Sequence, residues 1–200
     1  MSISTQPTSL PLHLRNLTHA EAAHYDYFRL ICAQDFALSL NSALWATLLP
    51  QTAHREPSIY HAALAIAALS KDAYSPRPRL SRDTIASSNC NFATEFAITH
   101  YNLAIRTLNG ALKAGSACAE LALLACILFI YVEAFQGCRM GGEGEGVPHL
   151  VKAHINGGLA IVRSLKLRDP EASTKIEYLE TALHHTRNQI EQLEQFSFGL

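Results

Sequence analysis

Residues 59–70 read IYHAALAIAALS. Small or apolar side chains stand on nearly every face of a helix drawn through this stretch, the pattern of a helix surrounded by other helices. Pro57 suits its first turn, because the missing N–H is not needed there and the ring already holds a helical φ. A helix from Pro57 to about Ser70 is therefore expected near the centre of the fold. It needs amphipathic partners on all sides, so the search moves outward for them.

Downstream, residues 72–91 hold Pro76 and Pro78 among several Ser and Arg residues, which break periodicity and predict the longest loop. Arg77, Arg79 and Arg82 fit a solvated face there. From Phe92 to Leu112, the residues Ala97, Tyr101, Ala104, Ile105, Leu108 and Leu112 share one helical face, with Glu95, Asn102, Arg106 and Asn109 elsewhere on the wheel. Gly115 stops this helix and an apolar one, about Ala117 to Phe135, begins almost at once, which predicts an antiparallel hairpin of the two. The most apolar part, Leu121 to Val132, lies between Glu120 and Glu133 and falls short of the roughly 20 residues that cross a bilayer, so it reads as a buried core helix. The glycine-rich acidic stretch GCRMGGEGEG follows, read as a flexible insertion. The next helix, Pro148 to Leu165, turns Leu150, Val151, Ile155, Leu159 and Val162 to a core and implies a second hairpin.

A final polar helix is expected from Asp169, as N-cap, and Pro170, as first residue. Ile176, Leu179, Leu183, Ile190 and Leu193 fall on a heptad seam with Thr186 as the polar interruption. Docking of that narrow stripe on the same domain is the favoured reading, and a homodimer through the C-terminal helix is the alternative. Upstream, Thr18 and Glu21 match a capping box and predict a helix from about Glu21 to Leu40, in which Tyr27, Phe28, Ile31, Phe36 and Leu38 are not one-sided. Between the helices, LWATLLPQ (44–51) reads as a short segment ended by Pro50. Residues 1–17 read as a flexible leader and 18–200 as a single helical domain. The fold class is thus all-α: about six helices in packed antiparallel pairs, with a polar C-terminal helix.

Composition sets limits on function. Hydrophobic residues make up 48% of the 200 and charged residues 16%, so apolar material is ample and surface charge thin, which favours contact with other proteins. With Lys+Arg 16 against Asp+Glu 17 the net charge is -1, which offers no field for nucleic acid or an acidic membrane surface. The five cysteines, Cys32, Cys90, Cys118, Cys126 and Cys138, form no CxxC pair, and their odd count argues against a disulfide framework. No secretory signal opens the chain.

Chemistry-bearing motifs are not found. The glycines near Gly141 and Gly146 lack a phosphate-loop pattern and stand beside Glu143 and Glu145, which repel phosphate. Of the ten histidines, His149 and His154 are five apart on a helix and face different ways, His184 and His185 are adjacent, and His61 and His100 each sit beside a tyrosine. None makes the converging set that a metal requires. No G-x-S-x-G elbow occurs, and Glu120 and Glu133 lie at opposite ends of one helix. No catalytic, metal or cofactor residue is assigned.

Three stretches carry a resemblance. LWATLLPQTAHREPSIYHAALAIAALS (44–70) matches a family pattern through Trp45, Leu48, Leu49, Pro50, Pro57, Ala62, Ala65, Ala68 and Leu69. FAITHYNLAIRTLNGAL (96–112) matches through His100, Tyr101, Ala104, Ile105 and Leu108, and LLACILFIYVEAFQG (123–137) with HINGGLAIV (154–162) through Cys126, Phe129, Glu133, Gly137, His154, Gly158 and Ile161. Together, over about residues 25–165, they resemble the fungal-specific transcription factor domain, the helical regulatory region of fungal zinc binuclear cluster activators. The resemblance implies a nuclear, non-enzymatic regulator whose helical region acts through partner proteins or a small-molecule effector; the alternative reading of the helices is a ligand-binding or protein-interaction module unrelated to transcription, with cytoplasmic residence. The family's N-terminal six-cysteine zinc cluster has no counterpart in this sequence, so the expectation is a regulatory part without direct nucleic-acid contact.

Overall fold

The computed structural model describes residues 10–39, 43–74, 85–116, 118–140, 149–169, 171, 174 and 176–197, and all of its regular elements are helical. Thr18 caps the first helix, α1 (His19–Tyr27), in the expected capping box: its Oγ1 accepts from the Glu21 N–H at 3.2 Å and its own N–H donates to Glu21 Oε2 at 2.8 Å. The rod then widens into a π turn, Phe28–Cys32, where the Ala33 N–H reaches back five residues to the Phe28 carbonyl, and continues as α2 (Ala33–Ser39). That wide turn rotates the buried face. It is why Phe28 is buried while Ile31 and Leu38 are exposed, and why the apolar positions looked scattered on an α-helical wheel.

LWATLLPQ is not a segment ended by Pro50. A second π turn, Leu44–Leu48, runs directly into α3 (Leu49–Arg55), and Pro50 lies in the first turn of the α part, where its missing N–H is tolerated. This helix is the addition to the expected six. The leader is also shorter than expected: Leu12–Leu14 form a 3-10 turn, Leu14 and Leu17 pack on the core, and the His13 Nε2–H donates to the Ala53 carbonyl at 3.3 Å. Residues 1–9 lie outside the described part.

Central α4 (Pro57–Tyr74) opens at Pro57 and runs past Ser70. Every residue from Ser58 to Ser70 except His61 is buried. Its five alanines between Ala62 and Ala68 keep the rod thin, so helices approach closely on every side. The next helix, α5 (Ile85–Lys113), starts earlier than expected, and Arg77, Arg79 and Arg82 lie outside the described residues. It ends at Gly115 (φ 68°): the Gly115 N–H donates to Leu112 and the Ser116 N–H to Ala111, a Schellman closure that only an unhindered left-handed residue makes cheaply.

The turn at Gly115 is as expected, but the pairing is not. The main partner of α5 is α4, and α4 packs on its other side against α6 (Ala119–Met140). An all-round apolar helix must be covered on both flanks, and it therefore separates its two successors. The hairpin of α6 with α7 (His149–Arg168) forms as expected. Gly137–Met140, read as part of an insertion, are the last residues of α6, while 141–148 lie outside the described part.

Within α6, Ala119–Gly137 is long and apolar enough, by length and composition alone, to span a membrane, a longer run than the sequence reading allowed. Here it is packed between α4, α7 and the final helix, with Leu123, Leu128 and Val132 fully buried.

The final long helix, α8, spans Glu177–Ser197; before it Glu171 and Thr174 are also helical, the Asp169 N–H closes the end of α7 on the Leu165 carbonyl, and Pro170, the expected first residue, lies outside the described residues. The stripe of Ile176, Leu179, Leu183, Thr186 and Ile190 is buried against α6 and α7 of the same chain, so these residues follow the docking reading; the side chain of Leu193 lies outside the described ones. Thr186 satisfies its hydroxyl by donating to the Ala182 carbonyl at 2.9 Å.

Candidate functional site

Buried polar side chains are scarce among the described residues, and two groups of buried and half-buried ones hold His61, His100, Tyr101, Glu133 and His154 of the residues singled out in the sequence. The first joins α5, α6 and α7. Glu133, 6% exposed near the end of the apolar run of α6, accepts the hydroxyl proton of Tyr101 from α5. His154 of α7 lies with Nε2 at 2.9 Å from the same hydroxyl. The phenol has one proton and gives it to the carboxylate, so His154 donates from Nε2–H to the phenol oxygen. Phe129, one turn before Glu133, meets both rings edge-on, at 5.2 Å from Tyr101 and 5.4 Å from His154.

Burial, reinforced by the Glu133 hydrogen bond and charge, pushes the Tyr101 hydroxyl well above its ordinary pKa. Burial lowers His154, with Glu133 opposing. Such a chain is fully satisfied, and it ties three helices at one register. Glu120, at the other end of α6, is held in the same manner: the Tyr178 hydroxyl of α8 donates to it at 2.6 Å. The two acids that flank the apolar helix are each anchored by a tyrosine from a different neighbour.

Gly158 explains how α7 comes so near. A Cβ built there would stand 2.9 Å from Leu183 Cδ1 and 3.6 Å from the Cys126 Cβ, so the glycine makes room for α8 and α6 at once. Burial pushes the Cys126 thiol up to about 11, and the Cys32 thiol likewise, which keeps both protonated and poorly nucleophilic at neutral pH.

The second group lies where the amino-terminal segment covers α4 and α5. His61 Nδ1 of α4 and His100 Nδ1 of α5 are 3.0 Å apart, with rings stacked at 28°. Phe96 packs on His100 at 4.2 Å and on His24 of α1 at 4.5 Å, and the His24 Nδ1–H donates to the Ala20 carbonyl at 2.7 Å. Burial lowers His61, and burial together with the His61 charge lowers His100 to about 4.

The remaining motif residues are packing residues. Trp45 is buried against Phe36 at 4.4 Å and edge-on to Tyr131 at 5.0 Å. Leu49 and Ala62 are fully buried, Pro57 starts α4, and the Pro50 carbonyl accepts the Tyr25 hydroxyl at 3.3 Å. Sequence reading missed that His61 and His100 face each other, and that Glu133, Tyr101 and His154 form one chain. The available signal was the presence of polar residues inside otherwise apolar helices.

Chemically, the arrangement binds helices together. Among the described residues no group of three metal-ligating side chains converges. Open concavities lie elsewhere, such as a cleft of about 330 Å³ between α3 and the start of α6, lined by Leu48, Gln51, Arg55, Cys118 and Leu121.

No curated protein and no solved structure matches the chain. The sequence pattern that defines the fungal specific transcription factor domain matches residues 24–195, from α1 almost to the end of α8, a longer match than the 25–165 anticipated. It takes in the docked final helix and every residue of both polar groups. The chain therefore belongs to the fungal specific transcription factor domain family, a family of transcription regulation.

Proposed function

We propose that these residues form a non-catalytic, nuclear regulatory domain that acts on transcription through contacts with other proteins and makes no direct contact with DNA. The observation that carries this reading is the family match over residues 24–195. Three features support it. The polar clusters are built into helix seams, where their members bond to one another. The thiols of buried Cys32 and half-buried Cys126 are held protonated. The net charge of -1 gives the chain no electrostatic attraction to DNA phosphates. Exposed Leu30, Ile31 and Leu38 on the α1–α2 rod, with Tyr74 and Phe92, supply apolar surface for protein partners.

The cleft between α3 and α6 is of a size that takes a small molecule, which supports an effector as a second input. The test is deletion of the gene with transcript profiling, combined with localisation of the tagged full chain. Nuclear residence and a defined set of altered transcripts are expected. Exclusive cytosolic residence with unchanged transcripts overturns the reading.

A further inference from the structure

The seam between the amino-terminal segment and the α4–α5 hairpin concentrates histidines. His13 of the 3-10 turn, His24 of α1, His61 of α4 and His100 of α5 are linked through ring contacts: His13–Tyr60 at 5.2 Å, Tyr60–His61 at 5.3 Å, His61–His100 at 5.2 Å, and Phe96 between His100 and His24. The contact at its centre has a definite proton count. Two Nδ1 atoms at 3.0 Å form a hydrogen bond only if one carries a proton and the other is bare. One proton in the gap is attractive, whereas two set a pair of N–H groups and two positive charges against each other.

We propose that this seam is a proton-operated latch, closed while His61 and His100 share a single proton between their facing nitrogens and opened, with release of α1, when both become charged. The surroundings favour the closed, uncharged state. The pair is packed among rings, with Tyr60 edge-on to His61 at 5.3 Å and Phe96 on His100 at 4.2 Å, and burial there penalises a charge on either imidazole. From α1, the Glu21 carboxylate attracts both histidines, but it is already committed to the Thr18 capping box, and His24 opposes it. Tyr25 meets Tyr60 edge-on at 5.1 Å, and His13 adds a further repelling charge on acidification, itself facing His54 and Glu56 of the α3 end.

The sign follows from the direction of the shifts. Unfolded histidine titrates near 6.5, and folded His100 only near 4. The released state therefore binds more protons between these values, and closure weakens steadily as pH falls from about 6.5 toward 4. Above that window the latch is indifferent to pH.

Hydrogen exchange of the full chain at pH 7 and pH 5, corrected for intrinsic exchange rates, tests the proposal. Amides of Glu21–Tyr27 are expected to lose at least tenfold more protection than those of Leu121–Val132 in α6. The double variant His61→Asn, His100→Asn places a non-titrating amide at each facing position, and the differential loss should vanish with α1 still protected. Parallel loss in α1 and α6, or an unchanged differential in the variant, overturns the latch. Should the variant fail to fold, a proton NMR titration of the native chain decides: His61 and His100 should titrate as a coupled pair below the other histidines, and two independent titrations near 6.5 overturn it.

Discussion

Adjacent glycines on α7 should respond to the same substitution with opposite signs. At Gly157 an added Cβ meets nothing within 4 Å, and Gly157→Ala only removes the entropic cost of a mid-helix glycine, a gain of about 0.5–1 kcal/mol. At Gly158 the same methyl stands 2.9 Å from Leu183 Cδ1 and 3.2 Å from Cδ2. Leu183 is fully buried and cannot swing into solvent. Gly158→Ala thus carries the same helix gain against an overpacking cost of about 1–3 kcal/mol. Helix propensity cancels between the two variants, so their difference in unfolding free energy isolates the steric cost. Urea titration followed by circular dichroism reads it as a difference in midpoint at unchanged slope. Leu183→Ala alone should cost about 2–5 kcal/mol, and combining it with Gly158→Ala should cost about 1–3 kcal/mol less than the sum. Equal stability of the two glycine variants, or strict additivity in the double variant, would refute the close approach of α7 and α8 described above.

Tyr101→Phe leaves the buried Glu133 without its phenol donor and removes the acceptor of His154, so a loss of about 1–3 kcal/mol is expected with the helical spectrum intact; a loss within error shows that the chain of hydrogen bonds contributes nothing. Trp45→Ala opens a cavity among Phe36, Tyr131 and Leu49 and should cost about 3–5 kcal/mol by thermal or urea unfolding. Trp45 is also the only tryptophan, so the native chain should show the blue-shifted emission of a dry indole that reddens on unfolding. Thr18→Ala removes the capping box and should cost about 1 kcal/mol, read most directly as faster hydrogen exchange at the first turn of α1.

Several features were legible in the sequence because their causes are local. The Thr18–Glu21 capping box needs only residues three apart. Pro57 marks a helix start by its own φ, and Gly115 a helix end by its tolerance of φ 68°. The all-round apolar character of 59–70 announced a central helix without any knowledge of what surrounds it. Misreadings occurred where a local rule depended on context. Pro50 looked like a stop, but the π turn before it placed the ring in a first turn, and the same kind of turn at Phe28–Cys32 scrambled the apparent face of the first rod.

Helical content, the central position of α4, the all-α class and the membership in a transcription factor domain family were therefore contained in the residues themselves, since periodicity, capping and motif spacing act over a few turns of chain. Pairing was decided only in three dimensions. Gly115 joins α5 to α6, but which helix each lies against depends on where buried area and close approach are greatest, and α4, thin and apolar on every side, takes both neighbours. The same holds for the polar residues: Tyr101, Glu133 and His154 come from three helices, and His61 meets His100 across 39 positions. Their partners are set by the crossing of rigid rods, a property of the packed core that no stretch of sequence carries alone.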